Sequence, residues 1–358
     1  MSRFDPTMPL ERAHTIPAEW YTERAFHLAE SERVFARTWQ CVGRADQVAA
    51  PGQFLTADIA GEPVLVVRGD DGELRGFFNV CRHRAAPLLT EPTGCVGKLR
   101  CRYHGWTYDL LGRLKGTPEF DGACDFDKAE NGLVPLGGVE IAGPFVWAQV
   151  LPPVRPVTSF YAPLFERSNL DGLTHHSTRS YTLNCNWKVY VDNYLDGGYH
   201  VNTVHPALAG VIDYQHYRTQ LFENCNVQTS PLTPATGAVG ATRTGDAAYW
   251  WLYPNFMVNL YAGVMDTNWV LPLDEDRCQV VFDFYFAAGV SSDFIRDSIA
   301  VAQAVQEEDV LICEQVQRGL RSRSYDTGRF SPKREAGGYH FHRLLSAGVR
   351  PWESAGGS

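Results

Sequence analysis

Two short loops constrain this sequence more than anything else: Cys81-x-His83 and, after seventeen intervening residues, Cys101-x-x-His104. Each loop pairs a soft thiolate with an imidazole, and the fold must bring both loops to one place before either can serve. Such a donor set suits a [2Fe–2S] cluster in which one iron sits on the two Cys and the other on the two His. Exchanging two thiolates for neutral imidazoles removes negative charge and raises the reduction potential. The competing assignment is tetrahedral Zn²⁺, which also accepts two Cys and two His. Zinc fingers usually pair Cys with Cys and His with His along the chain, whereas here each loop mixes the two. The spacing therefore predicts an iron–sulfur centre.

The bulk composition sets the frame around it. With 358 residues and 44% hydrophobic content, the chain can build two domains with real cores. Nine cysteines stand at 41, 81, 95, 101, 124, 185, 225, 278 and 313, an odd and scattered set unlike a secreted disulfide framework. Beyond the two cluster thiols they read as ordinary core residues of a reducing compartment. Met1 to Pro6 shows no long apolar run, so no signal peptide is expected. No apolar run approaches the ~18 residues of a membrane span. A net charge of −9 argues against nucleic acid as a partner. The expectation is a cytoplasmic protein with no membrane or nucleic-acid partner.

Three segments are expected. Residues 1–40 read as a helical entry packed on the domain that ends the chain, with Pro17 early and Tyr21, Leu28, Val34, Phe35 and Trp39 as its apolar stripe. Residues 41–150 read as short strands broken by Gly, Pro and Asp. Val64–Val67 and Leu74–Phe78 flank Asp71-Gly72, a hairpin signal. Both ligand loops then fall at strand ends of a small antiparallel β domain. Pro152-Pro153-Val154-Arg155-Pro156 marks a boundary, and 151–358 reads as a second, α+β domain. Its strands are expected at Tyr249–Tyr253, Phe256–Tyr261, Trp269–Leu273 and Val280–Phe286. A long helix is expected from Ser291 or Ser292, with Asp293 in its first turn.

A second metal site is legible in Asp192-Asn193-Tyr194-Leu195-Asp196-Gly197-Gly198-Tyr199-His200, with His205 five residues on. Both imidazoles can face one metal if the backbone loosens between them, as Gly197, Gly198 and Pro206 encourage. Two His call for a carboxylate from elsewhere, the facial arrangement of non-haem Fe(II). In the long helix, Val301, Val305, Ile312, Val316 and Leu320 step down one face. Asp309 falls in that stripe and Glu308 lies beside it. A charge on a core-facing stripe is costly unless paired or metal-bound, and spacing alone leaves both acids open. His175, His176, His340 and His342 read as surface or hydrogen-bonded residues.

Cys81-Arg82-His83-Arg84-Ala85 and Cys101-Arg102-Tyr103-His104-Gly105-Trp106 resemble the Rieske family, and the tryptophan in the second loop is similar to its oxygenase branch. Nearly the whole chain resembles the α-subunits of Rieske non-haem iron oxygenases. Asp192–Val201, Tyr253–Asn259, Met265–Leu273 and Glu308–Leu320 resemble the choline-monooxygenase-like branch. The resemblance implies a helix-grip catalytic domain, a curved antiparallel sheet around a long C-terminal helix. It maps the third iron ligand onto Asp309, beside His200 and His205. It implies electrons from a separate ferredoxin or flavin reductase, so that NAD(P)H acts only indirectly; the chain has no G-x-G-x-x-G or P-loop of its own. It implies O₂ as co-substrate, and a homotrimer in which the electron passes from one subunit's cluster to a neighbour's iron. The family's usual bridging acid, three residues before the first His, is Gly197 here. Asp196 becomes the bridge candidate, with Asp192 a turn earlier on a shared face with His200 if the helix persists.

The substrate implied is a small quaternary or N-methylated amine, which proteins hold against aromatic faces. Tyr194, Trp251, Tyr253, Tyr261 and Trp269 are the pocket candidates, drawn from a set that also holds Trp250 and Phe256. Trp250 and Trp251 should point to opposite faces, so only one can line a cavity. An aromatic-ring dioxygenase or an O/N-demethylase is the alternative on the same scaffold, and an electron carrier without oxygenase activity a more distant one. Arg82, Arg84, Lys98, Arg100 and Arg102 collect around the cluster loops of an otherwise acidic chain, a surface suited to an acidic reductase.

Overall fold

The computed structural model describes residues 4–205, 208–233 and 237–353. It separates into two compact units, Phe35–Phe165 and a larger one made of Met1–Val34 with Glu166–Ser358. At the start of the chain Pro17 leads into α1 (Glu19–Thr22), Glu23 turns extended, and α2 (Arg24–Arg33) begins again. That break shifts the helical phase, so the continuous stripe is not formed. Tyr21 and Val34 are buried but Leu28 is 51% exposed. Phe35 falls in a 3₁₀ turn over Phe35–Arg37, and Trp39 precedes the first strand.

The smaller unit is antiparallel throughout. Its strands are β1 (Gln40–Arg44), β2 (Gln53–Ile59), β3 (Glu62–Arg68), β4 (Leu74–Phe78), β5 (Thr93–Cys95), β6 (Leu99–Arg100), β7 (Thr107–Tyr108), β8 (Leu114–Gly116), β9 (Gly138–Ala142) and β10 (Phe145–Gln149). They form sheets ordered β4-β3-β2-β5, β6-β7-β8 and β1-β10-β9. The β3–β4 hairpin turns at Asp71-Gly72, where Gly72 takes φ 81°, a left-handed conformation that glycine adopts without strain. One ligand loop follows β4 and the other joins β6 to β7. Their thiols belong to the apolar core with Phe54, Leu65, Phe77, Leu99 and Trp106. Pro152 to Pro156 leads to α3 (Val157–Phe160), and α4 (Ala162–Arg167) straddles the division between units.

In the larger unit the chain runs β11 (Leu173–Leu183), α5 (Trp187–Tyr194), α6 (Val201–Val204), β12 (Arg218–Leu221), β13 (Cys225–Pro231), α7 (Gly237–Thr242), β14 (Asp246–Leu252), β15 (Phe256–Tyr261), β16 (Val264–Pro272), β17 (Cys278–Ala287), α8 (Ser292–Leu320) and α9 (Ala336–Glu353). The strands make one antiparallel sheet ordered β11-β17-β16-β15-β14-β13-β12. The four strands expected from sequence are its middle. β11 is a polar edge strand, and β13 buries Asn226, Gln228 and Ser230 on its inward face, so neither carries the alternation that marks a strand. Among the described residues no helix is long and apolar enough to cross a membrane.

α8 is the helix that the sheet grips. Phe294 N–H donates to Ser291 Oγ at 3.2 Å, the cap that the sequence predicts. Its buried face differs from the valine stripe: Val316 is 43% exposed, while Ser298, Ala302, Gln306, Asp309, Cys313 and Gln317 are buried. Helical steps of three and four join those six; Val301 and Leu320 of the expected stripe are buried too, so Asp309 stands on an inner face that mixes polar groups with part of that stripe.

α2 is tied to α5 by a fully buried ion pair. Lys188 Nζ lies 2.7 Å from Glu30 Oε1 and 3.0 Å from Oε2, and Trp187 Nε1 donates to Oε2 at 2.8 Å. Burial pulls the Lys188 pKa down while Glu30 holds it up. Removing one member of such a pair strands the other. Glu30→Gln should lower unfolding free energy by about 3–5 kcal/mol in urea titration, and Glu30→Leu with Lys188→Met should recover most of it. A loss below about 1 kcal/mol for Glu30→Gln would show that the pair does not anchor α2.

Candidate metal centres and substrate cavity

The two Cys/His loops share one backbone plan. Cys81 N–H donates to Ala86 O at 2.9 Å and Ala85 N–H to Cys81 O at 3.0 Å; Cys101 N–H donates to Trp106 O at 2.8 Å and Gly105 N–H to Cys101 O at 3.0 Å. Ala85 and Gly105 close these turns at φ 59° and 74°. The shared turn presents both thiols from the core side, each only 2% exposed. The rings of His83 and His104 meet with centroids 4.6 Å apart, and His83 stacks on Trp106 at 4.8 Å. Among the described residues His83 Nδ1 is buried without a hydrogen-bond partner, a donor atom that an iron would satisfy. Tyr108 OH accepts from Arg82 N–H at 3.1 Å and lies 3.4 Å from Cys81 Sγ. Burial raises the Cys81 pKa while Tyr108 opposes it. All five basic residues around the loops are exposed, and Arg102 pairs with Glu91 at 2.6 Å.

The second centre is assembled by a broken helix. α5 ends at Tyr194, and Gly197 and Gly198 both take φ 71°. A Cβ at Gly197 would sit 2.2 Å from Arg334 O, so an acid cannot occupy that position in this backbone. The helical face shared by Asp192, Asp196 and His200 is consequently not formed. Asp192 turns away: it accepts from Tyr21 OH at 2.6 Å and lies 2.8 Å from Nε2 of the fully buried His342. Asp196 turns toward the site. It accepts from Tyr199 and His200 N–H at 3.1 and 2.9 Å, and its Oδ2 lies 2.5 Å from His200 Nδ1. Pro206 lies outside the described residues.

His200, His205 and Asp309 converge as a set able to hold one metal ion. The two Nε2 atoms face each other at 3.0 Å, and Asp309 Oδ1 lies 3.2 Å from His205 Nε2 and 3.9 Å from His200 Nε2. Glu308 is behind the site, with Oε2 2.6 Å from His205 Nδ1, and Asn193 Nδ2 donates to Asp309 Oδ1 at 2.7 Å. With each Nδ1 facing a carboxylate, the Nε2 lone pairs are left to point at one another, a repulsion that a metal ion or a shared proton between them relieves. Burial pulls the His205 pKa down, but Asp309 and Glu308 outweigh it and leave it raised, the same demand for positive charge. The donor set fits a mononuclear iron.

A cavity of about 130 Å³ opens beside these three residues. Tyr194 and Tyr261 line it, with Tyr190, Tyr217, Tyr249 and Phe282. Three expected pocket residues do not line it. Trp251 is fully buried against Phe341 of α9, with Nε1 donating to Pro254 O at 3.1 Å. Tyr253 lies past the end of β14 and reaches Leu344 O through its hydroxyl at 3.4 Å. Trp269 sits on the face of β16 opposite Asn268, which does line the cavity. Nor does Trp250 take that place; it stacks on Phe222. Alternation put Trp251 on the correct face, but Tyr249, two residues earlier on that face of β14, is the ring at the cavity. Arg243, Asp266, Asn259 and Gln228 also line it, buried polar groups that an apolar-pattern search passes over.

Comparison with known proteins agrees with this construction. The family described as Ring hydroxylating alpha subunit (catalytic domain) matches residues 170–349, and the Rieske [2Fe-2S] domain matches 38–127. The chain is 39% identical to choline monooxygenase, chloroplastic, of Arabidopsis thaliana, across 96% of this chain and 85% of that one. It is 31% identical to the carnitine monooxygenase oxygenase subunit of Escherichia coli (strain K12), across 94% of each. It is similar to the solved structure of the quaternary ammonium Rieske monooxygenase CntA in complex with substrate L-carnitine, with TM-score 0.85, 28% identity, and coverage of 97% and 99%. The chain belongs to the Rieske non-haem iron oxygenases, enzymes that carry a Rieske [2Fe–2S] cluster and a mononuclear iron.

Proposed function

We propose that this chain is the oxygenase component of a Rieske monooxygenase that hydroxylates a small quaternary or N-methylated amine. Cys81, His83, Cys101 and His104 hold the cluster, and His200, His205 and Asp309 hold Fe(II). Bound there, the two centres supply electron transfer and O₂ activation. Asp196 and Glu308 fix the imidazoles by hydrogen bonds at Nδ1, and Asn193 orients the Asp309 carboxylate.

The observation that carries the reading is the small, ring-walled cavity with the His200/His205/Asp309 set in its wall. About 130 Å³ has room for on the order of ten waters, a space suited to a compact ligand. Tyrosine faces attract a quaternary ammonium by roughly 0.5–2 kcal/mol each. Asp266, 3% exposed and bordering the same space, favours a cation over a neutral arene, which would leave that polar wall unanswered. The relatives named for choline and carnitine point the same way. A separate NAD(P)H reductase of ferredoxin or flavin type would dock on the exposed arginines around the cluster loops. We further place the protein in a homotrimer, with Asp196 bridging to the neighbouring cluster. We also place it in the cytoplasm, the setting that its odd, scattered set of cysteines suggests.

O₂ uptake with a surrogate NADH reductase and mass detection of products tests the reading. Choline-type amines should give uptake matched by an oxygenated product, and a neutral arene should give neither; matched turnover of the arene alone would overturn the substrate class. Asp309→Ala should lower iron from three per chain to two while leaving the visible spectrum of the cluster in place. Bleaching by that substitution would place Asp309 at the wrong centre. His83→Cys should shift the visible bands and lower the reduction potential; an unchanged spectrum would exclude His83 as a cluster ligand.

A further inference from the structure

Arg243 follows α7 and enters the same cavity, only 5% exposed. Its guanidinium lies 4.3 Å over the ring of Tyr261 and donates through Nη1 to Ser298 Oγ at 2.9 Å and to Thr242 O at 3.5 Å. Asp266, also on the cavity wall, holds its Oδ2 3.9 Å from Arg243 Nη2, beyond hydrogen-bond length. Asp266 Oδ1 instead accepts from Asn259 Nδ2 at 2.7 Å. Burial holds the Asp266 carboxyl above its usual range, with Arg243 pulling the other way.

A buried guanidinium is a planar fork of donors that cannot lose its charge; among the described residues its carboxylate neighbour is Asp266, an ion-pair partner at 3.9 Å and outside hydrogen-bond reach. A carboxylate is what the fork matches best. A plain cation entering the cavity meets Asp266 favourably and Arg243 unfavourably, and a plain anion the reverse. A ligand that carries both charges a few bonds apart answers both walls and adds no net charge to a low-dielectric space.

We propose that Arg243 is a specificity-determining residue, seating a carboxylate of the substrate, so that the site prefers a zwitterionic quaternary ammonium acid to a plain quaternary cation. The ammonium end then lies toward Asp266 and the tyrosine rings. This rests on the quaternary-amine reading above and narrows it, placing choline itself second to its carboxylated counterparts.

Glycine betaine, its methyl ester and choline share the trimethylammonium head and differ at the acid, so calorimetric titration of each into anaerobic, iron-loaded protein isolates the role of Arg243. Glycine betaine should bind about tenfold to a hundredfold tighter than the ester. In Arg243→Gln that ratio should fall toward one, and in Arg243→Lys, which keeps the charge without the fork, it should stay intermediate. Equal binding of acid and ester by the native protein, or an undiminished ratio in Arg243→Gln, overturns the assignment. Should Arg243→Gln fail to fold, the native series decides by itself. Equal binding of all three probes retires the Arg243 assignment and leaves the quaternary-amine reading standing. Binding of a neutral arene with none of the three retires both.

Discussion

Two imidazole nitrogens 3.0 Å apart, each backed by a carboxylate at its other nitrogen, call for positive charge between them, and much of the larger unit is arranged to hold them there. The broken α5–α6 connection turns His200 and His205 inward, α8 brings Asp309 across, and the buried Lys188–Glu30 pair fixes the helix from which that connection departs. Orientation of ligands by the residues behind them is a general requirement of metal sites. Here those residues lie next to the ligands in sequence: Asp196 four before His200, Glu308 one before Asp309.

The same economy governs the departure from the family motif. The bridging acid is usually three residues before the first histidine, but the close pass of Arg334 at Gly197 and the left-handed turn there exclude a side chain. Asp196, one position back, caps the turn through backbone N–H groups and reaches His200 with the same carboxylate.

Charge also organises the cavity. An arene-binding pocket gains from wholly apolar walls, whereas this one buries Arg243 and Asp266 at 5% and 3% exposure among tyrosines. The two stand 3.9 Å apart as an ion pair without a direct hydrogen bond, an arrangement that leaves both charges at the wall of the cavity.

Much of this was legible in the chain. Cys81-x-His83 and Cys101-x-x-His104 determined the cluster loops because the ligands are local and their spacing is chemical. The central strands, the Ser291 cap and the His200/His205 pair followed from short-range periodicity and turn residues. Spacing left Asp309 and Glu308 open and the resemblance pointed to Asp309; the tertiary structure groups Asp309 with His200 and His205 and sets Glu308 behind His205. It alone sent Asp192 to His342 and put Tyr249 where Trp251 was expected. It also joined Arg243 to Asp266 across twenty-three positions. A sequence records which side chains a strand or helix offers, but which of them share a cavity depends on how distant elements pack, and buried polar groups carry no hydrophobic signature to announce it.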